Sequence, residues 1–198
     1  MTSFRPIWPP SLFGNYVRRV HPDIAAKEGT AAMNAPTRSA SVTLREITKE
    51  SVRAVSLLDV GTGQEGLVAP NAFSIAQAHF HPEAWFRGIY ADDTPVGFAM
   101  VEDWSQAVGV EPERYEGKPY VALWRFMIDA RYQKCGFGAG AMRLLIAHAR
   151  TRAGAANMLL SFVPKENNPE GFYQRFGFVR TGEEDEGELV MKLPLQDK

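Results

Sequence analysis

The chain has 198 residues, enough for one domain with an appendage, and 45% of them are hydrophobic. Its formal net charge of −1 excludes the bulk attraction that nucleic acid or an anionic membrane needs, and no apolar run approaches the roughly 18 residues of a membrane span. The single cysteine, Cys135, rules out an intrachain disulfide and fits a reducing cytoplasm, where we expect the protein.

Residues 1–40 carry scattered prolines and aromatics (Trp8, Phe13, Tyr16) with no persistent period of 3.6 or 2. They read as a loosely ordered N-terminal extension, or as an arm packed on the domain or on the second subunit of a homodimer. The domain, 41–198, opens with an alternating strand, Ser41 to Ile47. Val52, Val55 and Leu58 predict a helix over about 49–59, and Pro70-Asn71 starts another. Ala84–Tyr90 and Val96–Val101 read as strands joined by the turn Asp92-Asp93-Thr94-Pro95. The nearly continuous apolar run Tyr120–Asp129 predicts a central strand. A glycine-rich loop and a helix over about 139–152 follow, with Met142, Leu145, Ile146 and Ala149 on one face. A buried strand at 158–163, a short helix at 169–176 and strands near 178–182 and 188–193 complete the order β-α-α-β-β-β-α-β-α-β-β.

The strongest chemical signal is Gln133-Lys134-Cys135-Gly136-Phe137-Gly138-Ala139-Gly140, between the central strand and the amphipathic helix. Glycines let the backbone turn sharply, and a helix start offers unpaired N–H groups and a positive dipole end, so the segment suits a pyrophosphate. A P-loop would need a Gly-Lys-Ser/Thr ending that is missing here. In a dinucleotide fingerprint the third glycine would fall one position later. A plain glycine-rich turn is the remaining alternative on the loop alone.

The pattern Gln-x-x-Gly-x-Gly after a strand resembles the coenzyme A motif of GNAT acetyltransferases. Leu123-Trp124-Arg125-Phe126-Met127-Ile128-Asp129-Ala130-Arg131-Tyr132-Gln133 resembles their polyamine (spermidine/spermine) branch. Pro169-Glu170-Gly171-Phe172-Tyr173-Gln174-Arg175-Phe176-Gly177-Phe178 is similar to the family's second motif. The resemblance covers about residues 42–194. It departs from the pattern at Lys134, where this branch often has glycine, and in a shorter approach to Tyr173. That leaves the asparagine of the family open between Asn167 and Asn168.

The resemblance implies an α/β fold, a mixed central sheet flanked by helices. It implies acetyl-CoA as co-substrate, held by the backbone of Gln133, Lys134, Cys135, Gly136, Phe137, Gly138, Ala139 and Gly140. Asn168 lies beside it, and backbone N–H groups of Phe126, Met127 and Ile128 polarise the thioester. Tyr173 becomes the acid for the leaving thiolate, with attack direct and no acyl-enzyme. The acceptor is a primary amine, di- and polyamines first. The alternatives are a protein N-terminus or lysine, or a module that binds acyl-CoA without turnover.

Glu102 and Asp103, at the end of the third strand, are candidate bases or solvated strand-end carboxylates; Asp129 is expected to cap the turn into the loop. His79 and His81 stand at i, i+2, a poor ligand spacing, and no other Cys/His cluster supports a metal, so we expect none. The acidic run Glu183–Glu188 reads as a charged hairpin tip, or as an attractor for a polycation.

Overall fold

The computed structural model describes residues 35–64, 66–106, 119–166 and 168–196. The chain divides into two compact units at Ser39/Ala40. The described part of the first is a turn in which the hydroxyls of Thr37 and Ser39 lie 2.8 Å apart. Trp8, Phe13 and Tyr16 lie outside the described residues, as does Asn167.

In the second unit one sheet runs β1-β2-β3-β4-β5-β7-β6. Its strands are β1 (Val42–Arg45), β2 (Ala84–Ala91), β3 (Thr94–Asp103), β4 (Tyr120–Ile128), β5 (Asn157–Phe162), β6 (Val179–Asp185) and β7 (Glu188–Pro194). Among the described residues only the β4–β5 pair is parallel. The helices are α1 (Val52–Ser56), α2 (Asn71–Ala78), α3 (Phe137–Arg150) and α4 (Glu170–Gln174), in the order the periodicities predict.

The two sheet faces are covered separately. Helix α3 places Met142, Leu145, Ile146 and Ala149 against Val101, Val121, Met158 and Leu160. Helices α1 and α2 cover the opposite face, where Val55 and Ala78 join Phe98, Met100 and Met127. Each such Leu or Met contributes roughly 1.5–3 kcal/mol by leaving water, which is what holds helices as short as α1. Helix α1 is much shorter than the 49–59 expected. Thr48 N–H donates to Ser51 Oγ at 2.8 Å and Thr48 Oγ1 to Glu50 Oε2 at 2.7 Å, so residues 48–51 form a side-chain-bonded turn before it.

Two features of β4 open the sheet at its centre. The register with β3 passes from Met100↔Arg125 to Val101↔Leu123, so Trp124 is an extra, bulged residue. Beyond the bulge Phe126 and Ile128 pack on the α3 side, while Trp124 packs on the α1/α2 side. Arg125 also reaches the α1/α2 side, to Gln77 Oε1 at 3.5 Å. Two consecutive side chains therefore share one face. The pairing of β4 with β5 ends at Leu123↔Leu160, after which β5 continues beside β7. The strands part there, and among the described residues Trp124–Ile128 has no partner strand on that edge.

Candidate active site

The parted edge presents particular backbone groups. Asp129 N–H donates to Val96 O on β3 at 2.9 Å. Backbone groups alternate along a strand, so those of Met127 also point to β3, and those of Phe126 and Ile128 point into the gap. Ile128 O bears this out, accepting from Gln133 Nε2 at 3.0 Å on the gap side. Of the three backbone donors expected from the sequence, Phe126 and Ile128 thus face the opening. Met127 lies in the ladder, and its sulfur contacts Asn71 Nδ2 at 3.6 Å beneath the α1/α2 core.

The glycine segment closes one end of the gap. Asp129, 2% exposed, fixes its base: the carboxylate accepts from the N–H of Asp59 and Arg131 and from the Arg131 guanidinium, at 2.8–3.0 Å. It also caps the short 3₁₀ turn Ala130–Tyr132, as its position predicts. The Gln133 amide bridges Val60 O, Gln64 and Ile128 O, so its side chain braces the loop. Lys134 (φ 60°) and Gly136 (φ 94°) are both left-handed, which curls the chain into a concave run of amides. Helix α3 begins at Phe137, two residues earlier than expected. Gly140 N–H consequently donates to Gly136 O at 3.1 Å and is not a loop donor. A Cβ on Gly140 would stand 2.8 Å from Val42 Cγ2, so this glycine lets α3 approach β1. The open donors are those of the first turn, Phe137, Gly138 and Ala139. The Phe137 side chain is in the core, and Cys135 is half-buried against it.

Helix α4 flanks the same opening. Phe172 stacks on Phe126 of β4 (centroids 6.0 Å apart) and lies 3.8 Å from a Cβ built on Gly138. It therefore joins strand, loop and α4. Tyr173 packs edge-on against Phe172 and Phe178 and is 8% exposed. Burial, with the nearby negative charge of Glu188, pushes its phenol well above the ordinary value. Asn168 braces the approach: Oδ1 accepts from Glu170 N–H and Nδ2 donates to Lys165 O, both at 3.0 Å.

Several charged groups lie here, some of them not singled out by sequence. Glu188, grouped with the acidic hairpin tip, turns inward and accepts from Ser161 Oγ at 2.6 Å. Glu183, Glu184 and Glu186 are exposed, with Glu186 and Gly187 left-handed at the tip. Arg125 is partly buried, its Nε without a partner among the described residues. Burial lowers its hold on its proton, against the attraction of Glu188 and Glu102. On the α1/α2 face His81, Glu83 and Glu102 converge, their ligand atoms all within 4.8 Å. The His81 side chain stays 38% exposed. The sequence offers Glu102 as a candidate base but not its neighbours, because Glu83 precedes β2 and Glu102 lies next to the end of β3, and only the hairpin register Ala84↔Glu102 brings them together.

Comparison with known proteins agrees with this architecture. The sequence model of the Acetyltransferase (GNAT) family matches residues 57–178. A spermine/spermidine N(1)-acetyltransferase of Bacillus subtilis is 30% identical over 161 residues, covering 78% of this chain and 99% of that protein. The ribosomal-protein-S18-alanine N-acetyltransferase of Escherichia coli superposes with a TM-score of 0.56 at 15% identity, over 79% of this chain and 96% of its own. AtaTR bound with AcCoA superposes with a TM-score of 0.57 at 17% identity, over 78% and 94%. The chain belongs to the GNAT acetyltransferase family.

Proposed function

We propose that the protein transfers acetyl from acetyl-CoA to a primary amine, with di- and polyamines as the first candidates. The observation that carries the reading is the parted β4–β5 edge, which aims Phe126 and Ile128 N–H groups into a gap flanked by the α3 N-terminus and, through Phe172 on Phe126, by α4, the helix that carries Tyr173. The family uses acetyl-CoA, and the residues fit it. A Cβ built on Gly136 meets nothing within 4 Å, so the left-handed turn leaves space beside the open N–H groups of Phe137, Gly138 and Ala139. Those donors and the helix dipole hold the pyrophosphate. Phe126 or Ile128 N–H stabilises the oxyanion formed as the amine attacks the thioester, a fixed donor being worth about 10²–10³ in rate.

Tyr173 donates to the departing sulfur. Its raised pKa keeps the phenol protonated throughout the range in which an alkylamine becomes neutral, near ~10.4. Both substrates are bound at once, the pantetheine arm on the α3/α4 side and the amine on the α1/α2 side, meeting through the gap. The similarity to the Bacillus spermine/spermidine enzyme supports the small-amine class. The test is turnover with acetyl-CoA of spermidine, spermine, a diamine, a monoamine and a lysine-containing peptide. The expected order has the polyamines first; the peptide as best substrate, or acetyl-CoA binding with no turnover of any acceptor, overturns the assignment.

A further inference from the structure

The gap has two sides, and the charged cluster of His81, Glu83 and Glu102 lies on the side opposite the glycine segment. Resting on the acetyl transfer just described, we propose that these residues form a proton-exit relay: Glu102 takes a proton from the bound ammonium, and Glu83 and His81 pass it to solvent. Three observations carry the placement.

Glu102 has the right position. It pairs with Ala122, one residue before the point where β4 leaves β5, and lies on the α1/α2 face with Phe98 and Met100. The bulge swings Trp124 and Arg125 onto that same face. The His81 ring meets Trp124 edge-on, centroids 5.0 Å apart.

The cluster also leads outward. His81 Nδ1 and Glu83 Oε1 are 2.9 Å apart, and side-chain exposure rises from 16% at Glu83 to 38% at His81. Imidazole exchanges protons with water near neutral pH. The Glu83 and Glu102 carboxylates lie within 4.8 Å of each other, close enough for a proton to pass between them.

Finally, charged groups stand on both sides of Arg125. Arg125 is attracted by both Glu102 and Glu188, and Glu188 acts on Tyr173. The groups facing Glu102 are Glu83 and His81 before β2, Arg125 on β4 and the Trp104 indole N–H at 3.5 Å. Burial, opposed by Trp104 and reinforced by Glu83, holds its carboxyl above the usual range, nearer to what a base at neutral pH requires.

The protons balance. The ammonium gives one proton to the Glu102 carboxylate, and the freed lone pair forms the C–N bond to the acetyl carbon. The C–S bond breaks with its electron pair on sulfur, which takes the Tyr173 proton. The nitrogen sheds a second proton as it becomes an amide, restoring the phenol. One proton is left over, and it leaves through Glu83 and by His81, received at Nδ1 and released from the other ring nitrogen.

The experiment measures kcat for spermidine against pH in wild type, Glu102→Gln, Glu83→Gln and His81→Gln, with acetyl-CoA thermal stabilisation as the check on folding. Glu102→Gln is expected to lose about 10²-fold near neutral pH, and the deficit to shrink about tenfold per pH unit toward the amine pKa of ~10.4, where free amine replaces the base. His81→Gln is expected to lose less and to recover with added imidazole buffer. A pH-independent deficit in Glu102→Gln, or a change in KM alone, overturns the relay while leaving the acetyl transfer intact. Activity lost to a chelator and restored by a divalent ion also overturns it, assigning the cluster to a metal. A wild type that acetylates no amine overturns both readings.

Discussion

Replacing Tyr173 by phenylalanine separates the proposed proton donor from the packing. The side chain is 8% exposed and its ring is held edge-on at 5.4 Å from Phe172 and 6.0 Å from Phe178. Phenylalanine keeps those contacts, so the fold and acetyl-CoA affinity are expected to be unchanged. A lost general acid typically lowers the rate 10²–10⁴-fold, or about 2.7–5.4 kcal/mol at ~1.36 kcal/mol per factor of ten. Burial makes this phenol a weaker acid than free tyrosine, and an ordinary thiol has a pKa of ~8.5. Complete transfer to a thiolate is therefore uphill, and the proton moves only as the C–S bond breaks and the nitrogen resupplies it. That places the expected loss of kcat at the lower end, about 10²-fold. The assay is steady-state release of free thiol from acetyl-CoA with spermidine in excess, paired with thermal shift on acetyl-CoA. A Tyr173→Phe enzyme with near wild-type kcat would falsify the donor role and leave Tyr173 as a packing residue.

Gly136→Asp and Gly140→Ala separate ligand binding from packing. At saturation a hundredfold above Kd acetyl-CoA adds about 2.7 kcal/mol of stability, which Gly136→Asp abolishes by placing a carboxylate among the open amides; Gly140→Ala forces a Cβ to 2.8 Å from Val42 and lowers stability by about 1–3 kcal/mol while keeping the ligand response. Equal ligand shifts in wild type and Gly136→Asp would remove the anion cradle. Changing the exposed Glu183, Glu184 and Glu186 to Gln is expected to raise spermidine KM a few-fold at low salt, and the difference is expected to fade at physiological salt, where the Debye length is ~8 Å; an unchanged low-salt KM makes the tip a solvated turn. His148, stacked on Trp85 at 3.9 Å, is held below its ordinary value by burial, helped by the positive charges of Arg152 and Arg87. The unfolded chain therefore binds this proton more readily. The His148 contribution to stability is present above ~6.5 and lost as pH falls toward the folded value, so His148→Gln should flatten a denaturation midpoint measured against pH in that window.

The parts of this site that the sequence reveals are those encoded locally. A strand, a glycine-rich turn and an apolar stripe at 142, 145, 146 and 149 are each read within a dozen residues, and together they fix the cradle and the sheet order. Even there the onset of α3 was two residues late. Glycines at 138 and 140 argue against helix by propensity, yet the close approach of Gly140 to Val42 makes them helical. The gap itself is not encoded in that way. Tyr120–Asp129 is apolar nearly throughout because β4 is central and buried on both faces, so no alternation marks where the register slips. The slip exists only between β4 and β3, where Trp124 has no opposite number. Yet that one residue reorders the faces of the strand. By turning Trp124 and Arg125 to the same face it places them with the Glu102 cluster. Beyond it, the free edge carries Phe126 and Ile128 N–H. A run of hydrophobic letters thus holds the donors, and the polar residues that answer them come from β3, β7 and the segment before β2. Each of those looks like an ordinary strand-end charge until the strands are paired, because a carboxylate acquires a functional environment only from what the register sets beside it.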